Sequence, residues 1–106
     1  MAVAIEFGSR GQALSSSSVA TIAALAFNAE ASDRLIGAAI AFEATGVTIT
    51  GVTIGGVAAV ERASAINLTG TDHLAAIWVA PVPTGASGDV VVTLSTGNTT
   101  VSAAAF

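Results

Sequence analysis

The residues best equipped for chemistry are a single histidine, His73, the aspartate before it, Asp72, ten serines and six further carboxylates. A hydrolytic triad needs a hydroxyl nucleophile, an imidazole base and a carboxylate that orients the base. Only one imidazole is present. No serine stands in a G-x-S-x-G turn, the elbow that exposes a nucleophile. Asp72-His73 opens an apolar run and reads as a solvent-exposed, turn-capping pair. The carboxylates Glu6, Glu30, Asp33, Glu43, Glu61, Asp72 and Asp89 are scattered singly, without the spacing of a calcium loop. Calcium bridging between loops is the one metal arrangement this leaves open, and no metal ligand is assigned. Two carboxylates meeting in space could cleave a glycoside. A sugar cleft usually wants aromatic platforms, however, and the chain has one Trp, Trp78, and no Tyr. Trp78 reads as a core anchor. Gly51, Gly55 and Gly56 fit neither phosphate-loop pattern. Arg10, Arg34 and Arg62 stand apart, each suited to a salt bridge, as Arg34 with Asp33 or Glu30. Asn67-Leu68-Thr69 and Asn98-Thr99-Thr100 are formal glycosylation sequons that arise by chance in a Thr-rich chain. No catalytic, cofactor-binding or metal residue is expected, and the protein is not expected to be an enzyme.

Composition narrows the function further. Of 106 residues, 24 are Ala, 12 Thr, 11 Gly and 10 Ser, whereas only 10 are charged and none is Lys. A chain of net charge −4 without lysine cannot neutralise a row of phosphates, so nucleic acid is excluded as a partner. The absence of Cys removes disulfides, thiolate chemistry and cysteine zinc sites. The length suits one domain spanning residues 1–106.

Mean hydropathy is high, at +0.81. Yet the long uncharged stretches Gly11–Ala29, Ala44–Val60 and Val90–Phe106 are broken by Ser, Thr, Asn or Gly, and none reads as a membrane helix. A terminal Phe106 suits an outer-membrane barrel, but eight strands of about ten residues plus turns would strain the length. No membrane partner is expected. Arg10, Val19–Phe27 and Ala29-Glu30-Ala31 imitate a secretory leader. Glu6 offsets the charge of Arg10, and Ser15–Ser18 interrupts the pattern, so the segment is read as part of the fold.

The elements that would position these residues are strands. Ala2–Gly8 alternates, with Val3, Ile5 and Phe7 on one face. Residues 9–18 are polar and read as a flexible loop or arm. Val19–Phe27 reads as a strand with Val19, Thr21, Leu25 and Phe27 sharing one parity, helix being the alternative. After a turn at Asn28–Asp33, Arg34–Glu43 puts Ile36, Ala38, Ile40 and Phe42 on one face. Small residues, among them Ala39 and Ala41, occupy the other.

One five-residue repeat, TGVTI, occupies Thr45–Ile49 and again Thr50–Ile54. Its odd period conflicts with the two-residue period of a strand, so a bulge or bend is required at Thr50-Gly51. Gly55-Gly56 then reads as a two-residue hairpin turn, because primed turns need positive φ. Glu61–Asp72 reads as a polar connector with a short strand near Ala65–Leu68. His73–Val82 is apolar on both faces, as a central strand or one facing another subunit would be. Asp89–Ser95 carries Val90, Val92 and Leu94 inward, and Thr99–Phe106 follows a turn. Turn signals every 8–12 residues predict an all-β fold, an antiparallel β-sandwich of about seven or eight strands. The alanine-rich faces at Ala39/Ala41 and Ala103/Ala105 cannot fill a thick core alone. They suit a close neighbouring backbone or a subunit interface.

The stretches Ala29–Phe42, Val47–Val60 and Thr71–Thr93 resemble small β-sandwich domains of structural proteins in tailed bacteriophages and prophages. Taken from Ala29 to Thr93, the resemblance covers about 60% of the chain. Such domains occur in tail-associated proteins and as capsid decoration (cement) proteins, and are Ig-like or jelly-roll-like. The resemblance implies a non-enzymatic virion protein, made in the host cytoplasm and bound to the capsid surface. The major capsid protein would be its partner, with self-association into a homo-oligomer. It brings no active-site residues. A tail or fibre subunit is the alternative within the virion, and a carbohydrate-binding or adhesin β-sandwich module the alternative outside it.

Overall fold

The computed structural model describes residues 9–15, 18–67, 73–97 and 99–106, with residues 13–15, 67, 73 and 99 described by backbone alone. The strand expected at Ala2–Gly8 lies outside the described residues. Nine strands form, and no helix is present among the described residues. They are β1 (Arg10–Ser15), β2 (Val19–Ala26), β3 (Leu35–Glu43), β4 (Ile49–Ile54), β5 (Val57–Ala58), β6 (Val60–Asn67), β7 (His73–Pro81), β8 (Ser87–Leu94) and β9 (Thr99–Ala105). All pairings are antiparallel, in a five-stranded sheet ordered β1-β9-β3-β7-β6 and a four-stranded sheet ordered β2-β8-β4-β5. With β6 set aside as an added edge strand, this alternation between sheets is the double Greek key of a jelly-roll sandwich.

The core lies between the sheets and follows the two-residue alternation. Ile36, Ala38, Ile40 and Phe42 of β3 point into it, as do Val90, Val92 and Leu94 of β8 and Val101, Ala103 and Ala105 of β9. Burying one such Val or Ile contributes roughly 1.5–3 kcal/mol. Ala103 and Ala105 are therefore core residues rather than interface residues. They serve where the filler comes from the opposite sheet, whose Ile22, Ile54, Val90 and Val92 are almost wholly buried.

Three bulges interrupt the alternation. In β4, Ile49 stands opposite Leu94 and Gly51 opposite Thr93, so Thr50 is the extra residue. That is the parity break required by the TGVTI repeat, and it lets Val47, Val52 and Ile54 all be buried. In β2 a shift between Ile22 and Leu25 buries Ala20, Ile22 and Leu25, so the single parity expected from Val19 to Phe27 fails. Ala24 takes φ +54° there, and its N–H donates to Asp89 Oδ1 at 2.9 Å. In β6 the shift falls between Glu61 and Ala63. The Gly55-Gly56 turn joins β4 to β5 with φ of +57° and +80°, as the primed-turn signal requires.

Two loops of the sequence reading are strands. Within residues 9–18, expected as a loop or arm, Arg10–Ser15 is β1, paired residue for residue with β9 from Arg10–Ala104 to Ser15–Thr99. Within Glu61–Asp72, expected as a connector with only a short strand near Ala65–Leu68, a longer strand, β6, runs from Val60 to Asn67 and pairs along β7. Both stand at the ends of the five-stranded sheet among the described strands, and edges tolerate the polar, weakly patterned sequences that hid them.

Candidate functional site

Among the described residues, those weighed for catalysis and metal binding do not assemble. Asp72 and Glu6 lie outside the described residues, as do the side chain of His73, Asn98 and the side chain of Asn67. Glu30, Asp33, Glu43, Glu61 and Asp89 are all exposed, and no group of three metal-ligating side chains forms among the described residues. Trp78 points inward from β7 and packs half-buried against the core, with its indole Nε1 out of contact with solvent. It packs against the core, as expected, and is not an exposed aromatic platform.

Arg34 departs from expectation. It is 6% exposed, and its guanidinium engages backbone carbonyls instead of a carboxylate. Nε donates to Val82 O at 2.6 Å, Nη1 to Asn28 O at 2.5 Å, and Nη2 to Thr84 O and Gly85 O, both at 2.9 Å. The Phe27 ring lies 5.7 Å from Cζ on one side. The same ring lies against Gly88 and Gly55, and an added Cβ at Gly88 would stand 2.9 Å from Phe27 Cε2. Arg34 thus ties the 27–34 segment to the 82–86 segment at one end of the sandwich. Sequence could not show this, because the acceptors are backbone atoms, three of them about 50 residues away, and carry no residue signature.

The feature that stands out lies on the outer side of the five-stranded sheet, where registers align side chains in rows across all five strands. One row runs Arg10, Ala104, Ala39, Ile77, Ala63; the next runs Gln12, Ser102, Ala41, Ala75, Ala65. Gln12 Nε2 donates to Ser102 Oγ at 3.0 Å within the second row. Above them, Gly37 pairs with Val79, and Val79 with Val60. The Phe106 ring covers Gly37: an added Cβ there would lie 2.5 Å from Phe106 Cζ. Two shallow depressions flank β3 on this face. One of about 440 Å³ lies over Ala41, Ala65, Ala75 and Ile77, and one of about 510 Å³ over Arg10, Gln12, Ala39 and Ala104. Leu35, Val60 and Ile77 are exposed by 61, 56 and 38% and project from this face, three of the five large apolar side chains exposed among the described residues.

The outer side of the four-stranded sheet is different. Its rows run Thr21, Val91, Thr53, Ala58 and Val19, Thr93, Gly51. Thr50 Oγ1 donates to Thr93 O there at 3.2 Å. Hydroxyls at Thr21, Thr53 and Thr93, with Thr50 beside them, are interspersed on this face with Val19, Val91 and Ala58, whereas the five-stranded sheet presents mostly methyl groups with its charges, Arg10 and Glu43, at the margins. One outer face suits solvent and the other suits contact.

No helix among the described residues is long and apolar enough to cross a membrane. The chain matches no known family model, and neither characterised proteins nor solved structures contain a match to it.

Proposed function

We propose that this protein is a non-enzymatic structural subunit whose work is protein–protein contact. The observation that carries the reading is the contrast between the two outer faces: a hydroxyl-bearing sheet and a broad, nearly chargeless apolar one. A protein that keeps such a face gains free energy by covering it, and a subunit of an assembly does so routinely.

The place of assembly follows from the resemblance to tailed-phage structural domains. In this reading the protein is a capsid decoration (cement) protein on the virion surface, with the major capsid protein as its partner and copies of itself as further neighbours. Edge strands β1 and β6, together with the loops at the ends of the sandwich, would meet the capsid. A bound subunit stabilises a shell by adding buried area across joints and by favouring the assembled state through mass action. Jelly-roll sandwiches also serve in sugar-binding proteins, so the fold does not choose between these uses. The inward, half-buried Trp78 weighs against the sugar-binding module.

The test is the copy number of this chain in purified virions, measured by quantitative mass spectrometry against the major capsid protein. A number of the same order as the capsid protein supports decoration. A far lower number places the chain in the tail or fibre, and absence overturns the virion reading.

A further inference from the structure

We infer that the apolar outer face of the five-stranded sheet is covered by a second copy of this chain, stacked face to face about a two-fold axis that runs along β3. This rests on the reading above that the protein works by contact, and it names the partner for one face.

Area is the first argument. Five strands about 4.8 Å apart, each roughly 25 Å long, present about 600 Å² of face per copy. A pair would bury roughly 1,200 Å², the lower bound for specific, stable interfaces. A single edge strand offers much less, so full coverage of this face is what reaches the threshold.

Shape is the second argument. β9 and β7 flank β3 on opposite sides. A two-fold along β3 therefore lays β7 of one copy over β9 of the other, and preserves the rows. Ile77, the one large aliphatic side chain in the two central rows, then falls over Ala104 of the second copy, at the depression beside Ala39. The relation is reciprocal, as an isologous contact requires. The small rows let the two backbones approach closely, and stacked twisted sheets tolerate the rotation of about 30° that such packing brings. Arg10 and Gln12 lie on the edge strand β1, whereas Ser102, one strand further in, falls over Ala75 of the second copy with its hydroxyl already held by Gln12. Glu43 of both copies comes to one margin, a like-charge contact that salt screens.

The experiment is sedimentation of the full chain across micromolar concentrations, at low and high salt. The expected result is a dimer of about 20 kDa, twice the 10.2 kDa chain, that salt does not weaken. Ala41→Glu and Ala75→Arg each raise the dissociation constant at least 100-fold while leaving the β-sheet circular dichroism unchanged. Both sites are solvent-exposed, so the sandwich does not depend on them. The cysteine-free sequence permits a second readout: Ala39→Cys is joined into a dimer by a short bis-maleimide, whereas Ala58→Cys on the other sheet is not.

A monomer at every concentration overturns the inference. So does a dimer that salt dissociates, one indifferent to both charge substitutions, or one that cross-links in the Ala58→Cys variant and not in the Ala39→Cys variant. A monomer present in virions at capsid-like copy number would overturn the inference and leave the proposed function standing. A dimer of the expected kind that is absent from virions would do the reverse.

Discussion

Replacing Arg34 with methionine removes the guanidinium and keeps most of the hydrophobic stem. Four carbonyls lose a charged donor: Val82, Asn28, Thr84 and Gly85. Hydrogen bonds to charged groups contribute about 1.5–3 kcal/mol each, so the gross loss is roughly 6–12 kcal/mol. Two effects reduce it. The variant no longer buries a cation, whose desolvation costs several kcal/mol. The carbonyls of Thr84 and Gly85 also belong to residues that reach solvent and can recover water partners. The expected net loss is about 3–5 kcal/mol, including the contact with Phe27. For a domain of this size that lowers Tm by roughly 12–20 °C. The assay is urea and thermal unfolding of Arg34→Met beside Arg34→Lys. Lysine restores the charge but not the planar fork, so it should recover less than half of the loss. A methionine loss below about 1 kcal/mol, the worth of a single ordinary hydrogen bond, or full rescue by lysine would refute the claim that the fork-to-carbonyl geometry holds this end of the sandwich together.

Deleting Thr50 should be nearly tolerated, at a loss under about 1.5 kcal/mol in urea unfolding, because the deletion regularises the β4–β8 ladder. Deleting Thr53, in the regular part of β4, should prevent cooperative unfolding, since it turns Ile54 away from the core. Ala24→Gly should raise stability by about 0.5–1 kcal/mol, because a left-handed conformation costs alanine roughly 1–2 kcal/mol and glycine little; an unchanged midpoint would mean that the Asp89 bond has already absorbed the strain. Gly37→Ala should cost about 1 kcal/mol by displacing the Phe106 ring, an effect that disappears in a Phe106→Ala background; additive losses would show that the ring does not depend on that glycine.

The legible parts of this protein were those encoded by neighbours along the chain. The alternation of Ile36, Ala38, Ile40 and Phe42, and that of Val90, Val92 and Leu94, names its inward face without reference to anything distant. The TGVTI repeat announced a bulge because two odd-spaced copies cannot share a face, and Gly55-Gly56 announced its turn through the φ values only glycine adopts freely. Composition alone showed that this chain carries no thiol, since it has no cysteine.

What the tertiary structure decided depends on partners far away in sequence. β1 and β6 are strands because β9 and β7 lie beside them, and their own residues scarcely prefer it. The bulge at Ala24 rests on a carboxylate 65 residues later. Arg34 is buried among carbonyls, which every residue carries and no sequence pattern marks. Ala39 and Ala103 read alike on paper, small and apolar at similar spacing. Register with their neighbours sent one outward and the other into the core, because a strand fixes that residues alternate and only its pairing fixes which side meets the second sheet.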